Sequence, residues 1–215
     1  FDFFYPSYGS SYPSVMGSIG MLVEQGGHSR GGRAVETDDG YILTLRQRVF
    51  DHYETSFATL SAAVRNRQTL NQYFHDTFQQ KTNTGKSAAY ILPDDPRNHL
   101  YDVVNMLKAH GVEVHRAGTN FTVNKAHTYE TGKAGRQVFK KGDFIIYTDQ
   151  PRHLFINTVL QREMAIEDSI MYDMATWAAP LAYNLDAYWS ETKPRVTADL
   201  VKESLAYPSG VTQVR

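Results

Sequence analysis

Ala88-Ala-Tyr-Ile-Leu92, then Asp95-Pro96, then Leu100, Val103, Val104 and Leu107, then Gly111 before Val112-Glu-Val-His115, is the stretch on which the fold reading turns. The first five residues are a short apolar run of the kind a buried strand carries. Asp95 is a good helix N-cap, and Pro96 would stand at the first helical position, where its missing N–H costs nothing. The next four apolar residues fall at i, i+3, i+4 and i+7, one face of a helix. Gly111 supplies the left-handed cap that ends it, and Val112–His115 returns as a second strand. The expectation is a βαβ unit.

Downstream, Val138-Phe139 and Phe144-Ile-Ile-Tyr147 flank a Lys-Lys-Gly-Asp turn and read as a hairpin. Leu154, Phe155, Val159 and Leu160 predict another helix, whereas the aromatic stretch from Tyr172 to Tyr188 has no regular period. Upstream, Lys81-Thr-Asn-Thr-Gly-Lys-Ser87 is polar and aperiodic, which places a domain boundary between 1–80 and 86–215. Thr44-Leu-Arg-Gln47 fits a capping box and predicts the start of a long helix. Phe50, Tyr53, Phe57, Leu60, Val64, Phe74 and Phe78 form its apolar stripe, expected to pack a core. Ile19-Gly-Met-Leu-Val23 reads as a strand buried on both faces and closed by Glu24. Gln25-Gly-Gly-His-Ser-Arg-Gly-Gly32 follows as a glycine-rich loop, and the opening Phe1–Ser14 stretch is a loop dense in aromatics, Ser, Gly and Pro.

The chain has 215 residues, enough for one large domain or two small ones. With 41% hydrophobic and 21% charged residues it has a globular composition, which argues against collagen-like, coiled-coil and wholly disordered classes. Lys and Arg number 22 against 23 Asp and Glu, so no global field steers the chain to nucleic acid or an anionic membrane. Cysteine is absent, which removes disulfides, thiolate zinc sites and cysteine nucleophiles together. The longest apolar runs fall far short of the 18 or so residues of a helical membrane span, so no span is expected. A start at Phe1 with no initiator Met, and an end in strand and turn signals, read as an excerpt of a longer polypeptide.

Gly85-Lys86-Ser87 has the ending of a phosphate-binding loop, but Gln80 stands where its first glycine belongs and the triplet precedes a strand. It reads as linker. His127-Thr-Tyr-Glu130 has the H-x-x-E spacing of two metal ligands, without a third at an obvious distance, and reads as a surface loop. Glu24 carries more chemistry. A carboxylate at a strand end that opens into a glycine-rich loop sits where α/β sheets place ligands, and such a site suits a general base. The competing reading is a strand-end Glu that caps a loop.

Phe3-Phe-Tyr-Pro-Ser-Tyr-Gly-Ser-Ser11, Gly17-Ser-Ile-Gly-Met-Leu-Val-Glu-Gln25 and the helix after Leu43-Thr-Leu-Arg46 together resemble the C-terminal end of a bacterial zinc carboxypeptidase domain of the carboxypeptidase A type. The resemblance implies the C-terminal part of a mixed-sheet peptidase domain. It also implies Glu24 as the catalytic base that activates a zinc-bound water, and Tyr5 as the substrate-contacting tyrosine, with Tyr8 as the alternative. The second part, through Tyr90-Ile-Leu-Pro93, Gly142-Asp-Phe-Ile-Ile146, Gln150-Pro151 and Tyr172-Asp-Met-Ala-Thr-Trp-Ala178, resembles a flavodoxin- or amidotransferase-like α/β module. Without cysteine it is an accessory domain rather than an amidotransferase. In that family the zinc ligands and the arginines for the substrate carboxylate lie upstream of the catalytic Glu, so the resemblance implies that this chain lacks the metal ligands. The upstream part of the peptidase domain would be its partner, a peptide its substrate, and the periplasm or exterior its location. A reading from a different class makes 86–215 a noncatalytic peptide- or glycan-binding module acting through Tyr172, Trp177, Tyr183, Tyr188 and Trp189.

Overall fold

In the computed structural model, residues 8–24, 32–79, 85–96, 98–163 and 178–208 are described. The apolar run after residue 88 becomes β3 (Ala89–Leu92), in which every residue is buried. Tyr90 and Leu92 face one hydrophobic cluster, Ala89 and Ile91 the other, so the strand is covered on both sides. β7 (Phe144–Tyr147) and β8 (Tyr188–Ser190) flank it, both antiparallel. With β4 (His115–Ala117), β5 (Phe121–Thr128), β6 (Ala134–Phe139) and β9 (Ala198–Leu200), they form a seven-stranded sheet in the order β6-β5-β8-β3-β7-β4-β9. The chain is mixed α/β, and every strand pairing in this sheet is antiparallel.

The expected βαβ unit is therefore split. β3 and β4 run in the same direction, but β7 lies between them and pairs with both. Helix α4 (Leu100–Ala109) makes the connection, burying Leu100, Val103, Val104 and Leu107 as the spacing predicts. Its start is four residues later than Pro96, at a His99 N-cap held in the left-handed region (φ 49°). Its end is as expected: Gly111 at φ +78° lets its own N–H reach the Lys108 carbonyl and the Val112 N–H reach that of Leu107. Val112–His115 is not the return strand; pairing begins at His115, and buried Val112 and Val114 lead into it.

The expected hairpin of Val138-Phe139 with Phe144–Tyr147 is also overturned. β6 is an edge strand paired with β5, whereas β7 sits near the sheet centre because its residues are apolar on both faces. β4 and β5 stand four places apart in the sheet, a flat distance of about 19 Å, yet only residues 118–120 join them, a reach of about 14 Å. The sheet must curl to close that gap. A register shift in β5 between Val123 and Ala126 marks one bend, and Phe121, Val123 and Phe139 close over Ile91 and Ile145. The other face is covered by α4, α5 (His153–Leu160) and α6 (Ala179–Ala182). α5 is the helix predicted from Leu154, Phe155, Val159 and Leu160.

The first part of the chain is built differently. α1 (Tyr12–Val15) brings Val15 and Met16 against the main core, and Tyr12 meets His110 edge-on. β1 (Ala34–Glu36) and β2 (Ile42–Thr44) form a small hairpin that feeds α2 (Leu45–Arg65), followed by α3 (Arg67–Gln79). Thr44 caps α2 as expected, its hydroxyl accepting from the Gln47 N–H at 3.1 Å. The Gln47 side chain donates instead to Asp51, so the reciprocal half of the capping box is not made.

Two expectations fail here. Ile19–Val23 is not a buried strand: it has no regular structure, and Ile19, Met21, Leu22 and Val23 are exposed. The α2 stripe does not pack a core, because no residue of α2 is buried, and Phe50, Tyr53, Phe57, Leu60 and Val64 face solvent. The periodicity states correctly which face is apolar, but nothing among the described residues covers it. Farther along, Phe78 does find a partner, lying under the Arg152 guanidinium at 4.5 Å.

Two predictions follow from the core. Leu107→Ala, at a fully buried position on α4, is expected to cost about 2–5 kcal/mol by denaturant unfolding. Five tyrosines have raised pKa values with burial as the leading cause: Tyr90, pushed up to about 12, Tyr101, Tyr129, Tyr147 and Tyr188. The folded state therefore holds these protons above pH 10, the ordinary tyrosine value. Their contribution is complete below pH 10 and is lost as pH rises toward 12, so the unfolding midpoint should stay flat to pH 10 and fall beyond it.

Candidate functional site

Glu24 is exposed and stands at the end of the apolar run Met21-Leu-Val23. That run is held against the α1 turn by glycine. The Gly20 N–H donates to Ser14 Oγ at 3.1 Å, and a Cβ at Gly20 would collide with the Ser10 backbone carbonyl. Tyr8, whose carbonyl accepts from the Ser11 and Tyr12 N–H groups, starts the same turn. The result is an open hollow of about 460 Å³ lined by Tyr8, Gly9, Ser10, Met21 and Leu22. It brings Tyr8 beside the run that ends in Glu24. Tyr5, the first choice for a substrate contact, lies outside the described residues, as do Tyr172 and Trp177.

The H-x-x-E pair is engaged elsewhere. His127 is on β5, stacked on the Trp189 ring at 3.7 Å with the planes 7° apart, and its Nδ1 lies 3.1 Å from the Gly132 carbonyl. Glu130 is exposed in the following turn. Among the described residues no three His, Cys, Asp or Glu side chains come together as a set able to hold a metal ion. The described residues therefore do not fit a zinc site. Nor is any helix among them long and apolar enough to cross a membrane. Of the aromatics considered for a binding surface, Tyr183 is exposed, while Trp189 and Tyr188 are half-buried against the two cores.

A second polar site was not legible in the sequence. A cleft of about 340 Å³ opens at the sheet end formed by the start of β4, the end of β7 and the segment after β8. Glu113, His115, Tyr147, Asp149, Gln150 and Lys193 line it with Pro194. Buried Gln150 fixes one wall: its Oε1 accepts from the Glu113 N–H at 2.7 Å, and its Nε2 donates to the carbonyls of Glu113 and Tyr147. Lys193 pairs with Asp149 and lies 5.7 Å above the Tyr147 ring, and His115 meets that ring edge-on. No spacing in the chain links 113, 149 and 193. Only the strand order joins them.

At the opposite end of β3, Asp94 and Asp143 form a locking network. Asp143 is buried and accepts from the backbone N–H groups of Asp94 at 3.0 Å and Lys140 at 2.7 Å. Asp94 accepts from the Tyr101 hydroxyl and pairs with Arg116, whose guanidinium lies 4.6 Å from the centre of the Phe144 ring. These groups satisfy one another and tie the β3 end to β4 and to the turn before β7.

The hollow beside Glu24 depends on Gly20. Gly20→Ala is expected to open residues 8–24, seen as faster amide exchange there with little change in the β3–β7 core. No family model, no curated protein and no solved structure matches this chain.

Proposed function

We propose that the chain is the C-terminal part of a zinc-dependent metallocarboxypeptidase that hydrolyses C-terminal residues from peptides, followed by an α/β accessory domain. The observation that carries this reading is the juxtaposition at the first hollow. Tyr8 shares it with Met21 and Leu22, two residues before the exposed Glu24, so a tyrosine and a carboxylate lie on neighbouring segments at one open surface. Such a pair has the chemistry of a substrate contact and a base. Glu24 takes the proton from the attacking water, and Tyr8, or Tyr5 as the family resemblance prefers, contacts the end of the peptide. The metal ligands and the groups for the substrate carboxylate come from the upstream part of the peptidase domain. Exposure of the Ile19–Val23 run and of the whole α2 stripe also supports a chain that meets other protein surface. A periplasmic or secreted site of action follows from the same resemblance.

Two measurements test the reading. Glu24→Gln in the full-length parent is expected to lower kcat/KM on a peptide substrate by about 10²–10⁴-fold, the range for loss of a positioned base, with zinc content unchanged. Activity that survives the substitution refutes the role given to Glu24. The 215-residue chain by itself, loaded with zinc and gel-filtered, is expected to retain none; about one zinc per chain, the stoichiometry of a single-metal site, would place the ligands within it and overturn the division of labour.

A further inference from the structure

The cleft at the end of β7 holds charges of both signs, and one of them is left unpaired. Lys193 is paired with Asp149. Glu113 stands exposed on the same cleft, and among the described residues no cation makes an ion pair with its carboxylate. Of the cations on neighbouring segments, Arg152 lies beside Gly111 with its guanidinium over the Phe78 ring. Lys202, just after the Val201 N–H that donates to the Val114 carbonyl, forms no ion pair among the described residues. The Glu113 backbone is held in place. Buried Gln150 accepts from its N–H at 2.7 Å and donates to its carbonyl at 3.0 Å, so the carboxylate leaves the cleft wall from a fixed point.

Lys193 shows what the other wall takes. Its ammonium is paired with the Asp149 carboxylate and lies 5.7 Å from the centre of the Tyr147 ring, and a carboxylate beside an aromatic face is the chemistry that holds an alkylammonium. His115 meets the same ring edge-on at 5.3 Å. The ion pair is loosely kept. The Lys193 and Asp149 side chains are 53% and 40% exposed, and ion pairs so open to water contribute little. An ammonium from solution can therefore take the place of the tethered one.

Other ligand classes fit less well. An anion on Lys193 would face the Glu113 and Asp149 carboxylates, like charge against like. A divalent cation lacks its donors, since no three His, Cys, Asp or Glu side chains among the described residues form a set for one. A neutral ligand would leave the Glu113 charge unanswered. At about 340 Å³ the cleft is at the small end of ligand pockets, which favours a short ligand. We infer that this cleft binds a primary ammonium group on a short alkyl chain, with Glu113 and the Asp149–Tyr147 corner as its receptors and Lys193 as the resident group it displaces. The source is a small amine or the side chain of a lysine in another polypeptide. The inference does not rest on the role given to Glu24.

The test is a titration of the 215-residue chain with butylammonium at about pH 8, above the ordinary histidine value, read from the His115 ring resonances by NMR. Saturable shifts are expected, with none from butanol or butyrate. Glu113→Gln should weaken binding about fivefold, the upper end for an ion pair in contact with water. Lys193→Met should tighten it by a similar factor, because the tethered competitor is gone. Lys141→Met removes an equal charge before the start of β7 and should leave binding unchanged. All three positions are exposed, so the fold should hold. A capped Gly-Lys-Gly peptide that binds more tightly than butylammonium assigns the site to lysine side chains, and one that binds less tightly assigns it to small amines. No saturable shift, equal binding of butanol, undiminished binding by Glu113→Gln, or a Lys193→Met variant that binds no better than Lys141→Met, each overturns the inference.

Discussion

Burial of β3 on both faces is the constraint on which the rest of the structure depends. Four consecutive residues, Ala89 to Leu92, are shielded from water on alternate sides, so two separate layers must be supplied to them. α4, α5 and α6 supply one. The other comes from the sheet itself, which curls so that β5 and β6 close over Ile91 and Ile145. The short links 118–120 and 140–143 enforce that curl, and Asp143 locks it by accepting from two backbone N–H groups. Both polar ends of the sheet follow from the same arrangement. One is the closed Asp94–Asp143–Arg116 network, and the other is the cleft of Glu113, His115, Tyr147, Asp149 and Lys193.

The two parts of the chain stand in different physical situations. The described residues between 85 and 208 supply most of the core on both sides of a sheet. In the earlier part, α1 is anchored on that core through Val15 and Met16, and Phe78 through Arg152, whereas α2 and the Ile19–Val23 run display their apolar residues to solvent. Burying a large apolar side chain contributes on the order of 1.5–3 kcal/mol, and five such residues on the α2 seam, each more than half exposed, forgo most of it in this arrangement.

Local rules that depend on residues close in the chain were legible. The α4 burial pattern, its glycine cap at Gly111, the Thr44 cap and the α5 helix all follow from spacings of a few residues. The N-terminus of α4 did not, because Asp95-Pro96 leads into a turn and His99 takes the cap position four residues on. Strand partners were not legible either. A run such as Phe144–Tyr147 states that it is buried on both faces, but not between which strands, and proximity to Val138-Phe139 pointed to the wrong neighbour. For the same reason the strand-end cleft was invisible: its residues are contributed by segments as far apart as 113, 149 and 193.

The sequence by itself determined which residues are apolar together, where α2 is capped and where α4 ends, and that no thiol chemistry is available. Each of these is a property of composition or of contacts within one turn of chain. Only the tertiary structure decided that the sheet is antiparallel, that β7 splits the unit formed by β3 and β4, and that the α2 stripe and the run before Glu24 are exposed. Apolarity fixes a preference for burial, but whether a face is covered depends on the presence of a complementary surface, and that is a property of the whole assembly rather than of the segment.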